Sequence, residues 1–205
     1  MTDHVEVTGT GAASAVPEVV VLDTRVQCDA PDVAAALVAA SERVAAAAQA
    51  AEDHGVPASD RRTTGMGVSP RWDREGQAVV GYTAHQSLRL TVRDRDRVGD
   101  VIAALAGAAG DAFALDAVTL EVADPAPLLE QARAAAFDDA RAKAEQFAGL
   151  AGRPLGAGLR VGEERDRAVP APRFARAAMD VGGGMPVEPG ESTVTASVTV
   201  RFELG

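Results

Sequence analysis

The chain has 205 residues, of which 47% are hydrophobic and only 3% aromatic, and carries a formal charge of −10. That length suffices for one large domain or two small ones, with a core that must be built from Ala, Val and Leu. The acidic balance, with no clustered Lys/Arg stripe, excludes the counterion-releasing contact that nucleic-acid binding requires and disfavours an anionic membrane surface.

Cys28 is the only cysteine, which rules out an internal disulfide framework and a thiolate zinc site. No uninterrupted apolar run approaches the ~20 residues of a bilayer span, so no membrane span is expected. The opening MTDHVEVTGTG lacks the basic and apolar regions of a signal peptide, and the chain as it stands reads as cytoplasmic. Removal of a leader would leave the same sequence, with a periplasmic or secreted location instead.

In chain order, HVEVTGTGAASAVPEVVVLDTRVQC reads as two strands separated by a small-residue turn region over 9–16. Asp29 then offers an N-cap ahead of Pro31. An Ala-rich helix follows over 32–53, with Val33, Leu37, Val44 and Ala48 as its apolar face, ended by Gly55. Residues 60–72 and the long alternating stretch GYTAHQSLRLTVRD at 81–94 read as a hairpin. Asp96 is the candidate cap of a second helix over 97–109 that Gly110 closes, and AFALDAVTLEVAD supplies the next strand. Asp124–Pro125 opens a third helix reaching about 151. Its packing face is Leu128, Leu129, Ala132, Ala136, Ala140, Phe147 and Ala148, and Gly152 ends it. A short strand over 155–163, a Pro/Gly-rich mobile loop over about 165–190, and the alternating strand STVTASVTVRFEL complete the chain.

The order ββ-α-ββ-α-β-α-ββ predicts an α+β fold. The expected form is a single domain over 1–205, with a mixed, largely antiparallel sheet and three helices on one face, built from strand-helix-strand units.

The chemistry-bearing residues are dispersed. His4, His54 and His85 lie on separate elements without i,i+4 partners, so no metal is expected. A hydrolase or transferase reading would pair His85 with Asp73 or Asp94 and ranks last. Cys28 falls on an inward strand face as a small buried hydrophobe. TGTGAAS leads into a strand and VGGGMPVEPG precedes one, so neither cradles a phosphate at a helix N-terminus. The pairs Glu52–Asp53 and Asp138–Asp139 are adjacent on helices and suit solvated faces. No catalytic residue and no cofactor are expected.

Several stretches then occur in a telling order. Val7, Gly9 and Gly11 form V-x-G-x-G. A helix ends in HGV at 54–56, and a hairpin arm begins GYTA and continues LRLTVRD. The run ARAAAFDDARAKA at 132–144 leads into GRPLG. P-x-x-PG, from Pro186 to Gly190, precedes the last strand. In this order the chain resembles the SIMPL-domain family, the YggE-like bacterial proteins that include a periplasmic immunogenic protein. The resemblance implies an α+β fold, no established enzymatic activity, a link in some members to oxidative-stress tolerance, and in at least one a large channel-like ring.

The expectation is therefore a non-enzymatic, self-associating structural or stress-associated protein, forming a dimer or a larger ring. Arg89, Arg93 and Arg201, on the polar faces of the two long strands, are the candidate self-association surface. The terminal strand offers a second route, through unpaired backbone groups at a sheet edge. The alternative is a small-ligand binding module, its pocket between sheet and helices or under the 165–190 loop, its ligand unknown.

Overall fold

The structure is a computed structural model that describes residues 3–163 and 190–205. The expected loop at about 165–190 lies, but for its last residue, outside the described residues.

Among the described residues the element order is the one the sequence predicts. It runs β1 (His4–Ala15), β2 (Val19–Ala30), α1 (Val33–Asp53), β3 (Arg61–Trp72), β4 (Val79–Val92), α2 (Val98–Ala109), β5 (Phe113–Glu121), α3 (Ala126–Leu150), β6 (Leu155–Glu163) and β7 (Ser192–Leu204). The fold is α+β. Its strands distribute over two sheets, of order β3-β4-β2-β5 and β1-β7-β6, and every described pairing is antiparallel.

The chain divides into two compact units. One is continuous, residues 18–121. The other is discontinuous and gathers 3–17, 122–163 and 190–205.

The continuous unit shows why no parallel pair forms. The unit β2-α1-β3 holds β4 between its strands, and β4-α2-β5 holds β2 between its own, so same-direction strands never adjoin. Two interleaved split β-α-β units of this kind make the ferredoxin-like arrangement. α1 packs on β2 and β4, and α2 packs beside it toward β5. Val20, Leu22, Val26, Leu90, Val92 and Leu120 from the sheet meet Val101 and Leu105 of α2 in the core.

α1 departs from its expected face. Ala36, Ala40, Ala47 and Ala51 are buried, while Val33 and Leu37 stay exposed. The large strand residues already fill the layer, so the helix settles closest on its methyl-sized side. Its N-cap is Asp32, which accepts from the Ala35 N–H, rather than Asp29. At 21 residues and a mean hydropathy of 1.2, α1 meets the length and composition of a bilayer span. Reading uninterrupted apolar runs misses this, because Ser41, Glu42 and Arg43 break the run. The second helix also starts differently: Asp94, not Asp96, accepts a backbone N–H in the turn before α2.

In the discontinuous unit β7 is the central strand, pairing with β1 on one side and β6 on the other. Its expected place at a sheet edge is therefore corrected; alternation tells which face a strand buries, not how many neighbours it has. α3 lies across β1 and β7, burying Ala132, Ala136, Ala140, Ala144 and Ala148, while Phe147 is exposed. β1 runs unbroken through Gly9 and Gly11, where a turn was expected. A Cβ on Gly9 would stand 2.1 Å from the Ala136 carbonyl oxygen, and one on Gly11 2.3 Å from that of Ala132. The glycines let strand and helix backbones touch.

Candidate functional site

The polar face of β4 is laced with ion pairs to its own chain. Asp23 of β2 stands opposite Arg89 in register, and the guanidinium donates from Nε and Nη2 to its two carboxylate oxygens at 2.8 Å each. Arg25 reaches Asp116 of β5 at 2.7 Å, and Arg71 of β3 reaches Asp29 of β2 at 2.7 Å. Thr83 adds a hydroxyl donor to Asp29. Just past the strand, Arg93 forks onto Asp60 at 2.7 and 2.8 Å.

These pairs set the local electrostatics. Hydrogen bonds from Arg89 and Arg93 hold the carboxyls of Asp23 and Asp60 below the usual aspartate range, and the two guanidiniums are shifted up in return. In both forks the guanidinium is the open partner and the carboxylate the more enclosed one, the Asp60 side chain most of all.

Of the three arginines expected to form one contact surface, Arg89 and Arg93 belong to the continuous unit. Arg201 belongs to the discontinuous one, where it donates from Nε and Nη2 to Glu6 at 3.0 and 2.7 Å. Each already holds a carboxylate of its own chain.

The remaining candidates stay apart. His4 lies on β1, and His54 at the end of α1 donates from Nδ1 to the Ala50 carbonyl at 2.9 Å. His85 lies over Gly67, whose missing side chain leaves room for the imidazole. Asp73 accepts the Gln77 N–H at 2.8 Å in the β3–β4 turn, and Asp94 accepts that of Asp96, so both carboxylates shape turns. Among the described residues no three His, Cys, Asp or Glu side chains converge in a metal-binding group. Cys28 is partly buried against the Ala36, Ala40 and Ala84 cluster and the main core, and burial raises its thiol pKa.

Two features escaped the sequence reading. Asp139 does not simply face solvent. It accepts the Thr10 N–H at 2.8 Å and the Lys143 ammonium at 2.7 Å, tying α3 to β1, and both bonds lower its pKa. Only the i,i+4 spacing of Asp139 and Lys143 hinted at this.

The second feature is β3. It is an edge strand that α1 barely covers, and none of its twelve residues is buried. Met66, Val68 and Trp72 are 72%, 41% and 55% exposed. Val68 pairs with Ala84, a residue buried under Ala36 and Ala40 of α1, so Val68 shares the helix side of the sheet. Arg61 at the start of β3 donates to the Ala48 carbonyl and to Glu52. That flank of α1, three turns earlier, carries the half-exposed Leu37. An apolar strip thus runs along an unpaired sheet edge.

Comparison with known proteins gives the chain a family. The SIMPL family model, described as a protein of unknown function (DUF541), matches residues 5–202. An uncharacterized protein YggE of Escherichia coli K12 is 30% identical over 156 residues, covering 75% of this chain and 62% of that protein's own length. The chain thus matches somewhat under two thirds of that relative. The 26 kDa periplasmic immunogenic protein of Brucella melitensis is 26% identical over 225 aligned positions, covering 98% of this chain and 84% of the relative. On a match spanning nearly its whole length, the chain belongs to the SIMPL family.

Proposed function

We propose that this protein is a non-catalytic, self-associating structural protein, and that copies join along β3. The observation that carries the reading is the uncovered edge of the four-stranded sheet, with Met66, Val68 and Trp72 exposed on it. An exposed strand edge presents a row of unpaired backbone donors and acceptors that a second strand satisfies. An antiparallel pair centred on Gly67 sets Met66 against the partner's Val68, a self-complementary apolar contact. Pro70 fits this placement, since proline is tolerated at a sheet edge. A stable interface buries about 1,200–2,000 Å² in total, more than one strand pair supplies. The exposed Val33 and Leu37 of α1 extend the apolar area toward that size.

The reading sets Arg89, Arg93 and Arg201 aside as the contact surface, because each already commits two of its nitrogens to a carboxylate of its own chain. The periplasmic name of the Brucella relative supports an envelope location for this chain too, testable by fractionating cells of the native host.

Light scattering coupled to gel filtration tests the assembly. The expected mass is a multiple of 21.0 kDa, and the pair Met66→Lys with Val68→Lys reduces it to a single chain. Arg89→Glu paired with Arg201→Glu leaves it unchanged. A single-chain mass for the unaltered protein at micromolar concentration and above would sink the reading.

A further inference from the structure

The outer face of the three-stranded sheet holds a second arrangement, independent of β3. On the side turned away from α3, β1 and β7 align hydroxyls in register. Thr8 meets Thr199 at 2.8 Å and Ser14 meets Thr193 at 2.8 Å. Next to these, Glu6, Arg160, Gly162, Glu163, Thr199 and Arg201 line a depression of about 340 Å³.

Its making is visible in the register of β6. Gly158 pairs with Phe202, yet Arg160 pairs with Arg201, so an extra residue is accommodated between Gly158 and Arg160. Without that irregularity Leu159 would stand opposite Arg201. Bulges of this kind re-aim side chains. Here the bulge makes Arg160 and Arg201 cross-strand partners on one face of the sheet, a like-charge placement that costs stability when nothing lies between them. Gly162 keeps the wall low on one side of Arg160.

The charge count in the depression is unbalanced at one residue. Glu6 takes both Arg201 donors on a single oxygen, Oε2. The Glu163 carboxylate lies on the α3 side of the sheet, where Arg133 forks it from Nε to Oε1 at 2.7 Å and from Nη2 to Oε2 at 3.0 Å, so it adds no charge to the depression. Arg160 is exposed and holds no carboxylate among the described residues.

We infer that this depression is an oxyanion site, in which Arg160 and Arg201 together take a phosphate or carboxylate group of a small molecule. The planar fork of Arg160 and the remaining Nη1 of Arg201 present donors to one anion, and the Thr199 hydroxyl lies at the same wall. Glu6 on the far side disfavours a large polyanion and suits a ligand whose negative charge sits at one end. Binding at so open a site is weak, in the millimolar range (about −4 kcal/mol).

The test is a titration of the full chain with inorganic phosphate and, separately, succinate, at constant ionic strength set with chloride. Backbone amide shifts of β6 and β7 are followed by NMR. Saturable shifts centred on 160–162 and 199–201 are expected with at least one anion, and the tighter of the two identifies the source. Arg160→Gln weakens that binding by about ten-fold or more, the loss of a charged hydrogen-bonded donor set. Arg74→Gln, a cation of the β3–β4 turn, leaves it unchanged. Arg160→Lys keeps the charge but loses the fork and binds between the two. Non-saturable shifts, or equal affinity in Arg160→Gln, would overturn the assignment. Because β3 contributes nothing here, Met66→Lys with Val68→Lys retains the binding whatever its mass.

Discussion

Gly9 of β1 lies against Ala136 of α3 so closely that a methyl group on the strand would stand 2.1 Å from the helix carbonyl oxygen. Neither partner can yield locally, since both are backbone. Gly9→Ala is therefore expected to destabilise the discontinuous unit by about 3 kcal/mol or more, beyond the usual range of core overpacking. Gly65 of β3 has open space where its Cβ would be. Gly65→Ala is expected to be neutral or stabilising by up to about 1 kcal/mol. Denaturant unfolding of both variants checks the contrast; equal costs would contradict the close approach.

Acid should weaken the continuous unit in a defined direction. Asp23 and Asp60 have carboxyl pKa values held below the ordinary value by Arg89 and Arg93. An unfolded aspartate titrates near 3.9, so their stabilisation is complete above about pH 5. It is lost as pH falls through the lower folded-state values. Asp60→Asn should lower stability at pH 7, since the Asp60 side chain is only 8% exposed and gives up a forked, charged partner. It should also flatten the fall in stability between neutral and strongly acidic pH. Urea midpoints across that range decide it, and an unchanged pH slope would count against the pair.

Cys28 should react slowly. Burial raises its pKa, so little thiolate is present at neutral pH, and the neighbouring core limits access. A thiol-specific disulfide reagent should modify it at least ~10 times faster in denaturant than in buffer. Equal rates would show an open thiol.

The single tryptophan offers a direct view of the proposed edge contact. Trp72 ends β3 and is 55% exposed in the isolated chain. Its emission should shift to the blue and its quenching by iodide should fall as concentration rises. In Met66→Lys with Val68→Lys both should become independent of concentration.

The sequence made the order of elements legible because each carries its own punctuation. Gly55, Gly110 and Gly152 end the three helices with positive φ, and the β3–β4 hairpin closes around Asp73 and Gly76. Partnering was not legible. β1 and β2 follow one another yet enter different sheets, since alternation identifies a buried face and says nothing of the neighbour. The packing face of α1 was misjudged because hydrophobicity favours Leu37 over Ala36, whereas a tightly filled sheet favours the smaller residue. The same preference made Gly9 and Gly11 read as a turn when they serve helix approach. The ion pairs of Arg89 and Arg201 depend on cross-strand register, which no local pattern supplies.

The discontinuity of one unit has a bearing on how the polypeptide matures. A ribosome releases residues 18–121 as one uninterrupted stretch, so that sheet and its two helices can close while synthesis continues. β1 has no such opportunity. Its neighbour in the sheet is β7, with Val5 opposite Phe202 and Ser14 opposite Thr193, and it waits until synthesis has passed β7. During that interval its backbone donors and acceptors lack their strand partner, the condition under which unrelated strands pair wrongly. The β1–β7 pairing closes a far longer loop than any strand pair of residues 18–121, so it is expected to form after that sheet.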